Sequence, residues 1–393
     1  MKVICIHPRF AGLTSHHFNE SHAFIQEFQR RGKEFRLLIN IHASAEIVTA
    51  LNARPVLDDP TFHMEWSFHQ RSERFLAMLH AQIDSDLNAN DCVLLTVSTQ
   101  LEAHALTRWL QTLPREKKPW IVILIVSDRW NRSGRDEYER QIAEFRILKA
   151  AISSLGPEDV HKLIFFTLTN LLAEELSELL GVKVHIAPIP LEYGDPGSYS
   201  SAEHNSHPPR VAVLGGARRE KGSHLIPDIV RACRSQVQVE FLVHLANDTL
   251  TTEETAKLTQ IAEEPQVIVI RAPISRSEYY AALNSADIGL FPYEIVPYRK
   301  RTSAVFAEAV AFGKPVVATS GTWMAEQIEA GRAAGTISED LEPDSIVRAI
   351  ARCVADLKSL QQSAQALSLE WRNKGSISAF VDLMEDQIAF RAR

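Results

Sequence analysis

Short, continuous apolar runs alternate with longer stretches of helical period along most of this 393-residue chain. In the first half the apolar runs are KVICI (2–6), FRLLI (35–39), CVLLTV (92–97), WIVILIV (120–126), KLIFFTL (162–168) and VKVHIAPI (182–189). Residues 17–31, 69–86, 99–112, 136–153 and 170–180 carry the helical pattern between them. A strand that is apolar at every position has to be covered on both faces, which points to a parallel sheet between two layers of helix. The segment DPGSYSSAEHNSHPP (195–209) has almost no apolar residue and reads as a linker. The alternation then resumes with RVAVLGG (210–216), VEFLVHL (239–245), VIVIRA (267–272) and DIGLFPY (287–293), and helices are expected from about Ser223, at 251–262 and at 276–285. The chain thus reads as α/β, with two Rossmann-like doubly wound domains at 1–200 and 201–375 and a last helix over 376–393. Ligands of such sheets bind outside the carboxyl ends of the strands, so a cleft between the domains is the expected site.

Composition narrows the class. Apolar residues at 45% and charged ones at 23% are those of an ordinary soluble protein, and a net charge of −7 argues against a nucleic-acid partner. Cys5, Cys92, Cys233 and Cys353 are scattered without metal spacing, and most lie in or beside apolar runs. Buried thiols in a reducing compartment are expected rather than disulfides. The longest apolar run, 120–126, is far short of the ~20 residues that span a bilayer. The N-terminus MKVICIHPRF is too short in its apolar core for a secretory signal. A cytoplasmic protein is expected. Peripheral contact with the inner membrane face stays open through Arg30-Arg31-Gly32-Lys33 and Arg115-Glu116-Lys117-Lys118, although solvated surface is the simpler reading of both.

The densest chemistry lies in KRTSAVFAEAVAFGKPVVAT, from Lys300 to Thr319. It predicts a helix capped by Thr302 or Ser303, ended by Gly313 and followed by the strand VVAT. The helix tip offers free backbone N–H groups to an anion, and Glu308 on its second turn can accept hydrogen bonds from sugar hydroxyls. A nucleotide-sugar, with its diphosphate and ribose diol, presents both needs at once. Gly215-Gly216 ends a strand and permits close backbone approach, and Arg218, Arg219 and Lys221 follow with the charge to hold a diphosphate. Arg299, Lys300 and Arg301 add a cationic run before the helix. In the loop after the first strand, Gly12, His16, His17, Asn19 and His22 lie near a helix start, at spacings that do not suit zinc. Asp128 ends the strand WIVILIVSD, where it could orient an acceptor hydroxyl, act as a base or cap a helix.

EAVAFGKPVVAT (308–319) resembles the EA-x-A-x-GKPV-x-AT signature of GT-B glycosyltransferases of the retaining family four, the glycosyl transferases group 1. GGARREKGSHLIPDIV (215–230), GTWMAEQIEAGRAAGTI (321–337) and LEPDSIVRAIARCVADL (341–357) resemble further blocks of that family, in its order, over about the second half of the chain. The resemblance implies two Rossmann-like domains facing across a cleft, with the last helix returning to the first. It also implies transfer of a sugar from a nucleotide-diphosphate donor, a UDP- or GDP-sugar, to a hydroxyl of a glycan, lipid-linked or small-molecule acceptor. Retention of configuration, a front-face mechanism and no metal or other cofactor follow from the same source. Lys221 matches the family's phosphate lysine and Glu308 the second glutamate of its Glu-x7-Glu motif, which binds the ribose. The chain departs from the family at Gly216, where an arginine is usual, and at Lys300, where the first glutamate is usual. The arginine's role could pass to Arg218 or Arg219. A nucleotide-sugar-binding subunit without catalysis and a GT-B-shaped nucleotide-sugar epimerase are the alternatives.

Overall fold

The computed structural model describes residues 1–12, 16–59, 65–96, 98–126, 135–198, 208–247, 250–271 and 274–393. They form two compact units, Met1–Glu192 with Ile377–Arg393, and Tyr193–Ser376. The expected boundary at 200/201 falls within 199–207, outside the described residues.

The first unit is built on β1 (Lys2–His7), β2 (Glu34–Asn40), β3 (Arg54–Leu57), β4 (Cys92–Leu95), β5 (Trp120–Leu124), β6 (Leu163–Thr167) and β7 (Val184–Ile186). They pair in parallel in the order β3-β2-β1-β4-β5-β6-β7. Helix covers both faces, which is why the central strands β4, β5 and β6 are almost wholly apolar. Along β4, Val93 and Leu95 enter one core cluster with Ile4, Ile6 and Trp109, while Cys92 and Leu94 enter another with Phe24, Phe28 and Phe380. Phe380 belongs to the last helix, Ile377–Arg391, so this helix is part of the first unit's core.

Polar contacts fix that helix too. Arg31 meets Asp382 at 2.8 Å and Glu385 at 3.2 Å, Lys33 meets Glu385 at 2.5 Å, and Arg30 and Arg31 both reach Glu27. The basic run 30–33 is therefore matched by carboxylates of its own unit. In the second run Lys118 holds the buried Asp159 at 2.6 Å and Lys117 donates to Asp84 O at 3.1 Å. All four cysteines are free and buried, and burial pushes the thiols of Cys92, Cys233 and Cys353 up to about 12. No described helix is long and apolar enough to cross a membrane.

Glu20, on the helix His16–Arg30, gives the first unit a pH dependence. Burial raises its carboxyl from 4.5 to about 7, with a hydrogen bond from Thr96 opposing. Below about pH 4.5 the folded and unfolded chains both keep the proton. As pH rises the unfolded carboxyl ionises first, so stability falls until the folded group also ionises near pH 7, and is level above that. At about 1.4 kcal/mol per pKa unit the full loss is on the order of 3 kcal/mol. Glu20→Gln should therefore raise the unfolding free energy at about pH 8 and change it little at about pH 4. Urea melts at the two pH values would show it, and an equal effect at both would contradict this reading.

The second unit holds β8 (Arg210–Val213), β9 (Gly216–Ala217), β10 (Glu240–Asn247), β11 (Val267–Arg271), β12 (Ile288–Phe291), β13 (Val316–Thr319) and β14 (Gly335–Ser338). Again all pairs are parallel, in the order β11-β10-β8-β12-β13-β14, with the short β9 beside β10. Val211, Phe241, Val243, Ile288 and Leu290 pack with Ile229 and Val230 of the helix Ile226–Gln236 and with Ile346 and Ile350 of the helix Pro343–Ala355. Strand order runs one way from β8 to β11 and the other way from β12 to β14. The sheet's switch point thus lies between β8 and β12, where doubly wound proteins open a crevice.

Candidate functional site

Two loops leave the sheet at that switch point. After β8 the chain turns through Leu214–Gly222, and after β12 through Pro292–Glu294. The Glu294 N–H donates to Glu220 O at 2.9 Å and ties them together. Gly215 has φ +94°, a conformation glycine adopts freely. A Cβ there would stand 3.1 Å from Val305 Cγ2 and 3.3 Å from Lys221 Nζ. The bare glycine backbone, the Lys221 ammonium and the first turn of the helix Ala304–Ala311 therefore meet at one point.

That helix is capped by Ser303, whose Oγ accepts from the Phe306 N–H at 3.2 Å. Thr302 stands one residue outside the cap, so the two candidates are distinguished. The rest of the first turn presents backbone N–H groups without partners inside the helix. Tyr293, buried at the end of β12, shares a hydrogen bond with Ser303 and lies 5.9 Å by ring centroid from Lys221 Nζ. Fixed N–H groups, one ammonium and a glycine turn make a cradle for a phosphate group.

Glu308 sits one turn further along the helix. Its Oε2 accepts from the Tyr279 hydroxyl at 2.7 Å and its Oε1 from Tyr280 at 3.3 Å. Burial raises the Glu308 carboxyl, while the two tyrosine hydrogen bonds and the charges of Arg276 and Lys221 favour its ionised form. Burial and the Glu308 charge push the Tyr280 hydroxyl up to about 12, so it stays a donor. Arg276 donates to Tyr280 Oη at 3.1 Å and lies 5.2 Å from its ring centroid, which orients the pair. The carboxylate is thus held in place and retains acceptor capacity for a ligand's hydroxyls.

Residues 208–356 match the family model described as glycosyl transferases group 1. The second unit carries a group 1 glycosyltransferase domain. No curated protein sequence matches the chain. Solved structures do match it, along nearly the full length and at low identity. A glycosyltransferase from Rickettsia africae superposes with a TM-score of 0.70 at 11% identity, covering 98% of this chain and 97% of its own. A sucrose-phosphate synthase from Thermosynechococcus elongatus gives 0.65 at 13%, covering all of both chains. HepE from Anabaena, in complex with UDP-glucose, gives 0.65 at 12%, covering 99% of this chain and all of its own. These likenesses establish the GT-B fold for the whole chain.

Within the second unit, Gly215 and Lys221 lie against the first turn of the helix that Ser303 caps and that carries Glu308. The two arginines part company. Arg219 is exposed and its guanidinium pairs with Glu254 of the helix Thr252–Gln260, whereas the charge of Arg218 acts on Tyr293. In the cationic run, Arg301 faces Glu220 at 3.6 Å and lies 5.2 Å from the Tyr298 ring centroid, Arg299 is exposed, and Lys300 is partly buried. In the first unit, Gly12 is exposed in the loop after β1 and His16 begins the first helix. The neighbouring His17 meets His7 at 3.0 Å between Nδ1 and Nε2. Asp128 lies outside the described residues. Sequence reasoning missed Tyr279, Tyr280, Tyr293 and His244. The first three belong to segments read only as helix or strand, and the fourth is the one polar side chain toward the end of an apolar run.

Proposed function

We propose that the chain transfers a glycosyl group from a nucleoside-diphosphate sugar to a hydroxyl acceptor with retention of configuration. The carrying observation is the convergence of Gly215, Lys221 and the Ser303-capped helix tip at the switch point, one helical turn from Glu308. Lys221 and the helix N–H groups take the diphosphate, Arg218 adds charge beside Tyr293, and Glu308 accepts from the ribose hydroxyls. In the front-face step the bond from the anomeric carbon to the diphosphate oxygen breaks, and the acceptor oxygen bonds on the same face. The acceptor proton passes to the departing phosphate. The cations stabilise the charge that grows on the diphosphate, the largest single source of rate in such sites. Gly12 is proposed for donor contact, His16 for catalysis, and Asp128 as the residue that orients the acceptor hydroxyl or takes its proton. Lys300, in place of an acidic residue, suits a donor with an extra anionic group.

HepE holds UDP-glucose, which makes UDP the first nucleotide to try. Calorimetry with UDP, GDP, ADP and CDP should show one preferred base, and Glu308→Ala should weaken that nucleotide roughly tenfold or more, as for loss of hydrogen bonds to a charged group. Absence of binding by all four would remove the donor-site reading. Tight binding without transfer or hydrolysis of the matching sugar nucleotide would mark a binding subunit.

A further inference from the structure

The pocket beneath the glycine turn has a wall the phosphate cradle does not use. It is lined by Gly215, Gly216 and Lys221, and on the side of β10 by His244. Both ring nitrogens of His244 are shut off from water and have no hydrogen-bond partner. Leu214, Leu258 and Tyr293 line the same pocket, and Ile270 is the register partner of His244 on β11. Among the described residues, Lys221 is the charged group whose field acts on it. A strand interior has no packing need for an imidazole, and a valine or leucine would fill the place without two stranded polar atoms. The arrangement is that of a donor awaiting an acceptor in the pocket it lines.

We propose that His244 is a second phosphate-binding residue, whose ring N–H binds an oxygen of the diphosphate held by Lys221 and which takes up a proton as that anion enters. The proposal rests on the donor-site reading above. In the empty pocket, burial and the Lys221 charge hold the imidazole below its ordinary range, so the ring is neutral near neutral pH. A diphosphate beside it cancels the Lys221 field and adds negative charge, so the charged ring becomes favourable. The site then presents one more cation to the bound nucleotide than to water. Because the ring gains its proton on binding, nucleotide affinity should rise as pH falls from about 8 to about 6.

Calorimetry on the full chain with UDP, GDP, ADP and CDP tests this in HEPES and in Tris, two buffers of unlike ionisation enthalpy that carry no phosphate. For the nucleotide that binds, wild type should show a buffer-dependent heat that reports proton uptake. His244→Leu should bind it roughly tenfold more weakly, and the extra uptake should be gone. Equal affinity and equal buffer dependence in wild type and variant would overturn the proposal while leaving the donor site intact. So would a flat affinity in wild type between about pH 6 and 8, a measurement that needs no variant. No heat from any nucleotide in wild type would remove the donor site and the proposal together.

Discussion

Lys221→Ala should lower glycosyl transfer by about a hundredfold to a thousandfold, on the order of 3 kcal/mol in the transition state, with little change in melting temperature. The asymmetry follows from where the side chain lies. Its ammonium is next to Gly215 and the first turn of the helix Ala304–Ala311, at the point assigned to the diphosphate, and its alkyl chain is only partly buried. Removal takes a charge from the leaving group and opens no cavity. Lys221→Arg should recover only part of the rate. The guanidinium is bulkier than the ammonium, and Val305 and the Gly215 backbone already crowd that position. Arg219→Ala should cost far less, because that guanidinium lies at the surface with Glu254, and exposed pairs contribute up to about 1 kcal/mol. Single-turnover rates for the three variants would rank the cations. A normal rate in Lys221→Ala would take the lysine out of the mechanism.

The fold was legible wherever both faces of a strand are covered. Continuous apolar runs mark β1, β2, β4, β5 and β6, because their apolar residues alternate between core clusters on the two faces of the sheet. β3 escaped notice, since RPVL contains a proline and an arginine and forms the sheet's edge, where one side of the ladder is unpaired and polar residues are tolerated. The helix Leu357–Lys374 was unread for a related reason. Among its interior positions only Ala364 and Ser368 are buried, so its apolar stripe is faint. It docks through Leu357 and Leu360, packed partly buried on the core, and through Trp371, stacked on Trp323 and edge-on to Phe306.

The site was legible in part. Glycines, a lysine and a helix cap have local signatures, so Gly215, Lys221 and Ser303 could be named from spacing. Tyr279 and Tyr280 reach Glu308 across 29 and 28 positions of chain, a meeting that only the sheet order creates. His244 looks like one more member of an apolar strand until the pocket beside it is seen. That Arg219 pairs with Glu254 at the surface was likewise unreadable in the sequence, because Glu254 lies in a different helix.

Gly222→Ala should be the most damaging single-methyl change in the second unit. Gly222 has φ +70°, where an alanine is strained by about 1 kcal/mol or more. The larger penalty is steric. A Cβ at this position would overlap the carbonyl oxygen of Pro292, and Pro292 Cγ would stand 3.0 Å away. Both obstacles sit at the end of β12, a central strand whose backbone is paired with β8 and β13, so neither can yield without disturbing the sheet. The loop must move instead. Lys221 immediately precedes Gly222, and Glu220 is bonded to the Glu294 N–H, so a displaced turn carries the ammonium from Gly215 and loosens the tie between the two loops. Strain and overpacking together come to about 3 kcal/mol or more, at the upper end for point substitutions. At about 2–4 °C per kcal/mol for a unit of this size, the melting temperature should drop by roughly 6–12 °C. Nucleotide binding should fall with it. Lys221→Ala leaves the melting temperature in place, so the two variants separate loss of charge from loss of the turn. A Gly222→Ala protein that melts and binds like wild type would show that the loop after β8 has slack, and that its close approach to Pro292 does not position Lys221.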